Sequence, residues 1–151
     1  MIKELSCGGF IYNTNNEILI TRSTGSSKWN IPKGKIEDNE TPLECAIREI
    51  KEETNIDVSG CMITDAGQHK YLQYKDIHLF FFILHSVPTD IRCNSFFMTK
   101  YGTELPEIAE YKWCTYEEAR LLWSDNLNKS IDSMIKYMKD NNLFQKYPAT
   151  N

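Results

Sequence analysis

The chain lacks any long apolar run. Its longest, Leu79 to Leu84, is far short of the roughly 20 residues a bilayer-spanning helix needs, so no membrane association is expected. Its first residues lack the cationic, apolar and small-residue order of a secretory signal. It lacks paired cysteines: Cys7, Cys45, Cys61, Cys93 and Cys114 are odd in number and dispersed. That argues against a disulfide framework or a zinc site and points to reduced thiols in the cytoplasm. It also lacks positive charge. Lys and Arg number 17 against 21 Asp and Glu, a net charge of −4. This argues against non-specific binding to polyanions but leaves room for a local basic patch. Repeats, linkers and low-complexity tracts are missing too, so the 151 residues are expected to form one domain over 1–151.

What is present is ordered punctuation. Residues 5–12 and 17–22 alternate as strands around Asn13-Thr14-Asn15-Asn16, a hairpin turn that Asn favours because it tolerates positive φ. Gly8 and Gly9 weaken the first strand; either a bulge or room for a substrate or a helix explains them. A polar loop, 23–28, leads to Trp29-Asn30-Ile31-Pro32-Lys33-Gly34-Lys35, in which Pro32 fixes φ and Gly34 permits a tight turn.

Thr41-Pro42-Leu43-Glu44 predicts a helix start: Thr41 at the N-cap, Pro42 at the first position, Glu44 completing a capping box. The helix should run to about Thr54, with Asn55 in the left-handed position after it. Leu43, Ala46, Ile47, Ile50 and Thr54 give its apolar stripe. Residues 61–75 suggest strands and turns without a clear register. Residues 76–85 form the clearest strand, apolar enough to be buried on both faces. Residues 87–106 read as a long irregular loop of the kind that often carries function. A strand ending at Trp113 follows, then a helix capped by Thr115, then an amphipathic helix through Leu127, Ile131, Met134, Ile135 and Met138.

Glu49, Glu52 and Glu53 are an electrostatic anomaly. They share about 100° of helix surface, at about 100° per residue, in the C-terminal half where the macrodipole favours cations. At i, i+3 and i+4 they repel one another. Alone, three glutamates usually mark a solvated face. A divalent cation would remove the conflict, and carboxylate oxygens suit Mg²⁺ or Mn²⁺.

The wider spacing is more specific. Gly34, Glu40, Arg48-Glu49, Ile50, Glu52-Glu53 and Ile56 stand at the intervals of the Nudix box, and the chain resembles that family throughout. Its one departure is Asn55, where the family has Gly. Asn is the next-best left-handed cap, so Asn55→Gly is expected to be neutral or mildly stabilising. The resemblance implies an α/β fold, the Nudix-type α/β/α sandwich with a mixed sheet, and an enzyme that cleaves a nucleoside diphosphate linked to another group. It implies Glu49, Glu52 and Glu53 as Mg²⁺ or Mn²⁺ ligands, with the Gly34 carbonyl as a further candidate. Arg48 would orient a glutamate of the box, with Glu40 as a candidate partner. Either Glu53 or an outside glutamate, best Glu107, would take the proton of the attacking water.

Substrate identity is carried less clearly. Trp29 to Ile36 is similar to the matching stretch of mRNA-decapping Nudix enzymes, while Pro-Lys-Gly also occurs in hydrolases of diadenosine polyphosphates and diphosphoinositol polyphosphates. Lys33, Lys35 and Arg22 are candidate phosphate contacts. Tyr71, Tyr74, Phe96, Phe97 and Tyr101 are candidate stacking rings. The expected partner is a nucleotide or an RNA 5′ end, capped or triphosphorylated, or a dinucleoside polyphosphate. A diphosphoinositol polyphosphate or nucleoside triphosphate is the alternative, and a non-catalytic nucleotide-binding module is the alternative of another class. The oligomeric state is left open.

Overall fold

The structure is a computed structural model that describes residues 3–143. Strands β1 (Glu4–Tyr12) and β2 (Ile18–Ser23) form the expected hairpin. Asn16 takes φ 60°, and the Asn13 side chain accepts from the N–H groups of Asn15 and Glu17. Two short strands follow, β3 (Trp29–Asn30) and β4 (Lys33–Lys35). β3 pairs with β2 and β4 with β1, so the Pro32 segment crosses from one strand of the hairpin to the other. This crossing accounts for Gly8, where a Cβ would run into the Pro32 carbonyl. A Cβ at Gly9 would run into the Phe80 carbonyl and the Phe82 ring. The two glycines admit neighbouring strands and turn; neither a bulge nor a helix explains them.

Helix α1 (Pro42–Thr54) has the predicted ends. Thr41 and Glu44 form a reciprocal capping box, and Asn55 adopts φ 67°. Its buried stripe differs in detail: Cys45, Ala46, Ile50 and Thr54 are buried, Leu43 and Ile47 half-buried, and Glu53 is buried with them. Stranding Ile50 in water would cost about 1.5–3 kcal/mol, so this stripe fixes the helix on the sheet.

Residues 61–75, without a legible register in sequence, hold one long strand, β5 (Met62–Leu72), and the turn that leads into β6 (Lys75–Ile83), with which β5 pairs antiparallel. Register shifts around Gly67, at φ 89°, break the alternation that would have revealed it. β6 lies parallel to β1 at the sheet centre. Ile77, Leu79 and Phe81 enter one core, Phe80 and Phe82 the other. The expected loop 87–106 is more regular than its sequence suggests. It contains a two-stranded ribbon, β7 (Phe96–Met98) and β8 (Glu104–Pro106). All of β7 is exposed, so no burial pattern marks it.

β9 (Ile108–Cys114) pairs with β2. Helices α2 (Tyr116–Leu122) and α3 (Asp125–Asp140) follow, capped by Thr115 and Ser124. The seven-stranded sheet runs β3-β2-β1-β6-β5, with β4 added to β1 and β9 to β2. One parallel pair among antiparallel ones makes it mixed. The α1 residues Cys45, Ala46 and Ile50 share one core with Phe80 and Phe82. Residues of α2 and α3 share the other with Phe10 and Phe81. The result is an α/β fold with helices on both sheet faces. Among the described residues, no helix is long and apolar enough to cross a membrane.

Candidate active site

The site is built where the β4 turn meets the flank of α1. Gly34 faces the helix so closely that a Cβ there would overlap the Glu49 carboxylate. Its carbonyl accepts a weak bond from the Cys45 thiol at 3.5 Å. The glycine is therefore required by close approach; its φ is not positive.

Arg48 organises the acidic flank. Its Nε and Nη2 donate to the two oxygens of Glu40 at 2.6 and 3.0 Å, a bidentate pair. Nη1 donates to Glu49 at 2.8 Å and to Glu52 at 3.3 Å, and Nη2 also donates to the Lys35 carbonyl at 3.1 Å. One guanidinium thus ties the turn, the stretch before the helix and two box glutamates together. The Arg48 bonds hold the Glu40 carboxyl down at about 2. Burial pushes the Glu49 carboxyl up, against the pull of Arg48.

Glu53 is the outlier. It is 6% exposed, and among the described residues it accepts one bond, from the Lys33 N–H at 3.2 Å. Burial pushes its carboxyl up to about 8, with the Lys33 charge pulling the other way. Its backbone is anchored too, because the Tyr111 hydroxyl of β9 donates to the Glu53 carbonyl. With one neutral donor on it, this carboxyl keeps acceptor capacity for a further partner.

The donor set fits a hard divalent cation. Glu49, Glu52 and Glu53 offer carboxylate oxygens from one flank, Gly34 offers a carbonyl, and Glu53 has unfilled acceptor capacity. As they stand, no three His, Cys, Asp or Glu side chains among the described residues converge as a closed cluster; Arg48 holds Glu49 and Glu52 instead.

The outside candidates separate. Glu107 sits in the bend between β8 and β9, held by its N–H to the Ser95 carbonyl and its carbonyl to Thr24 N–H, both at 2.9 Å. Its charge adds a smaller upward push on both Glu49 and Glu53. Lys33 is also brought in, its Nζ 5.4 Å from the Tyr71 ring centroid. Lys35 points outward and pairs loosely with Glu4 at 3.9 Å. Arg22 is engaged elsewhere, donating to Glu110 at 2.8 Å and to the Ser26 carbonyl at 2.7 Å. Of the aromatic candidates, Phe96, Phe97, Tyr74 and Tyr101 are exposed, and Tyr71 is half-buried, accepting from Asn30 Nδ2 at 2.9 Å.

Some positioning residues carry no signal in sequence. Asn94 donates its N–H to the Glu52 carbonyl at 2.7 Å and its amide to Asn55 Oδ1 at 3.0 Å. Arg92 N–H donates to the Thr54 carbonyl at 3.2 Å. The last carbonyls of α1, behind the glutamates, are capped by residues some 40 positions later. Only the fold brings them there.

Comparison with known proteins agrees with this geometry. The NUDIX domain model matches residues 3–137. An uncharacterized 17.7 kDa protein of the e-segB intergenic region of Enterobacteria phage T4 is 33% identical over 119 residues, 71% of this chain and 79% of that protein. The mRNA-decapping protein g5R of African swine fever virus (isolate Pig/Kenya/KEN-50/1950) is 30% identical over 128 residues, 79% of this chain. The matched region is 51% of that relative, so the chain spans about half its length. Among solved structures, the MutT protein of Methanosarcina mazei Go1 superposes with a TM-score of 0.63 at 25% identity, covering 93% of this chain and 96% of that one. The chain belongs to the Nudix hydrolase family and is one of its pyrophosphohydrolases, acting on acid anhydrides.

Proposed function

We propose that this enzyme hydrolyses the pyrophosphate linkage at an RNA 5′ end, capped or triphosphorylated, using Mg²⁺ or Mn²⁺. The observation that supports the metal-dependent chemistry is Glu53: buried on the flank of α1, beside Glu49, with a single protein donor, the Lys33 N–H. The choice of an RNA end is supported by likeness to a decapping protein across 79% of this chain.

Glu49, Glu52 and Glu53 would hold the cation, with the Gly34 carbonyl as a further ligand. When bound, it neutralises phosphate oxygens and lowers the pKa of water. Lys33 faces the substrate phosphates, with the exposed Lys35 beyond it; Arg22 would join them only by leaving Glu110. Arg48 bonds to Glu49 and Glu52 and so sets where they point. Water attacks phosphorus, the bridging P–O bond breaks, and the terminal phosphate group or cap nucleotide leaves with the bridging electrons. The water proton passes to a carboxylate of the site, for which Glu53 and Glu107 are the candidates.

The test is a panel of capped RNA, triphosphorylated RNA, dinucleoside polyphosphates and nucleoside triphosphates, with products identified by mass. RNA ends should be converted with the highest kcat/KM. Conversion of the other substrates with no RNA product would overturn the RNA reading.

A further inference from the structure

We propose that Tyr111 is a positioning residue of this enzyme: its hydroxyl, on the Glu53 carbonyl, sets where Glu107 stands against the box glutamates. The inference rests on the reading of Glu107 as a carboxylate of the site and adds what holds it there.

The last carbonyls of a helix have no partner within it. At the end of α1 the Asn55 N–H takes the Lys51 carbonyl at 2.9 Å, which leaves those of Glu52, Glu53 and Thr54. Two distant segments take up all three. Asn94 N–H donates to Glu52 at 2.7 Å, the Tyr111 hydroxyl to Glu53, and Arg92 N–H to Thr54 at 3.2 Å. Two of these carbonyls belong to glutamates of the box, so the ties fall on the end of the helix that carries the site.

The same two segments hold Glu107. Ser95, next to Asn94, accepts the Glu107 N–H at 2.9 Å. Tyr111 stands four residues beyond Glu107, in β9. Glu107 is thus joined to α1 twice: through Asn94 and Ser95 to the Glu52 carbonyl, and through β9 to the Glu53 carbonyl. The first route is main chain at both ends. The second hangs on one hydroxyl, carried by a half-buried ring that packs on the apolar cluster of Ile50 and Ile56. Glu107 lies near enough for its charge to raise the carboxyls of Glu49 and Glu53, so a shift of β9 against α1 changes its reach to them. A misplacement of about 1 Å can cost on the order of 100-fold in rate. The surviving route through Asn94 and Ser95 limits the shift, so a loss of about tenfold is expected when the hydroxyl goes.

The test is a double-mutant cycle of Tyr111→Phe and Glu107→Gln, read as kcat and KM on triphosphorylated RNA and, in parallel, on nucleoside triphosphates. Tyr111→Phe keeps the ring and deletes the hydroxyl. Alone it should lower kcat about tenfold and move KM by no more than about twofold. In the Glu107→Gln background the same change should alter kcat by less than about twofold, because the residue it positions is already disabled. The Tm rise on Mn²⁺ addition should match that of wild type, since Glu49, Glu52 and Glu53 keep their helix. Thr115→Ala, which removes the N-cap of α2, is a control for lost stability and should leave kcat unchanged. Equal losses from Tyr111→Phe in both backgrounds, a weaker Mn²⁺ response, or a kcat loss of the same size in Thr115→Ala overturns the positioning role and leaves Glu107 in the site. A Glu107→Gln enzyme with wild-type kcat overturns both. Turnover of nucleoside triphosphates alone, with the predicted cycle, overturns the RNA reading and leaves the role of Tyr111 standing.

Discussion

Asn55 donates its side-chain amide to the Asp90 carbonyl at 3.1 Å while holding φ 67° at the end of α1. The residue that departs from the family pattern is thus a tether. It also bonds the Asp90 carboxylate at 3.3 Å and accepts from Asn94 at 3.0 Å. Sequence reasoning expects Asn55→Gly to be neutral or better, because glycine relieves a left-handed cap. The tether reverses that expectation. The variant should lose about 1 kcal/mol, since several partly exposed bonds of about 0.5–1.5 kcal/mol outweigh the relief. Thermal denaturation checks this, and an unchanged or higher Tm would show that the tether contributes little.

This case shows what was legible in the sequence. Local chemistry was: Thr41, Pro42 and Glu44 announce the start of α1, and spacing alone puts Glu49, Glu52 and Glu53 on one flank. Long-range partners were not. Nothing near Asn55 announces Asp90 or Asn94, and nothing near Glu53 announces Tyr111. The same limit hid the burial of Glu53, which follows from the approach of Lys33 and β9. It also hid β5, whose alternation is broken at Gly67, and the exposed ribbon of β7 and β8. The sequence casts Gly34 as a turn residue, yet its reason in the structure is a different one, the Glu49 carboxylate lying against it.

Gly34→Ala follows from that contact. A Cβ must displace the Glu49 carboxylate, and Arg48 would be drawn after it. Activity should fall at least tenfold, with a loss of about 1–3 kcal/mol from overpacking. Parallel kinetics and denaturation test this. Wild-type values in both would mean that Glu49 has a second position of equal quality.

Arg48→Lys should break the fork on Glu40, because an ammonium cannot donate two parallel bonds to one carboxylate. Stability should fall by about 1–2 kcal/mol at neutral pH. The pH dependence adds a signature. Glu40 is held at about 2, below its ordinary range of about 4.3. Its stabilisation is present above the ordinary value and is lost as pH falls toward 2. The wild type should therefore lose stability across that acid window more steeply than Arg48→Lys. Parallel curves would show that the pair does not set the Glu40 charge.

Glu107→Gln separates two roles. If Glu107 takes the water proton, kcat collapses and its acid limb moves while the fold is unchanged. With the more deeply buried Glu53 as the base, as proposed, a drop of no more than about 100-fold is expected, at the lower end of the general-base range. A loss equal to that of Glu53→Gln would reassign the base.

The most direct measurement is hydrolysis of triphosphorylated RNA by wild type and Glu53→Gln across a Mg²⁺ or Mn²⁺ titration, with circular dichroism as a check on folding. Gln keeps the shape and can still accept the Lys33 N–H, so the fold should survive. Wild-type turnover should be absent without metal and saturate with it, and Glu53→Gln should be slower by orders of magnitude at every concentration. Metal-independent turnover, or near-normal activity in Glu53→Gln, would contradict the assignment of this buried carboxylate to the catalytic centre.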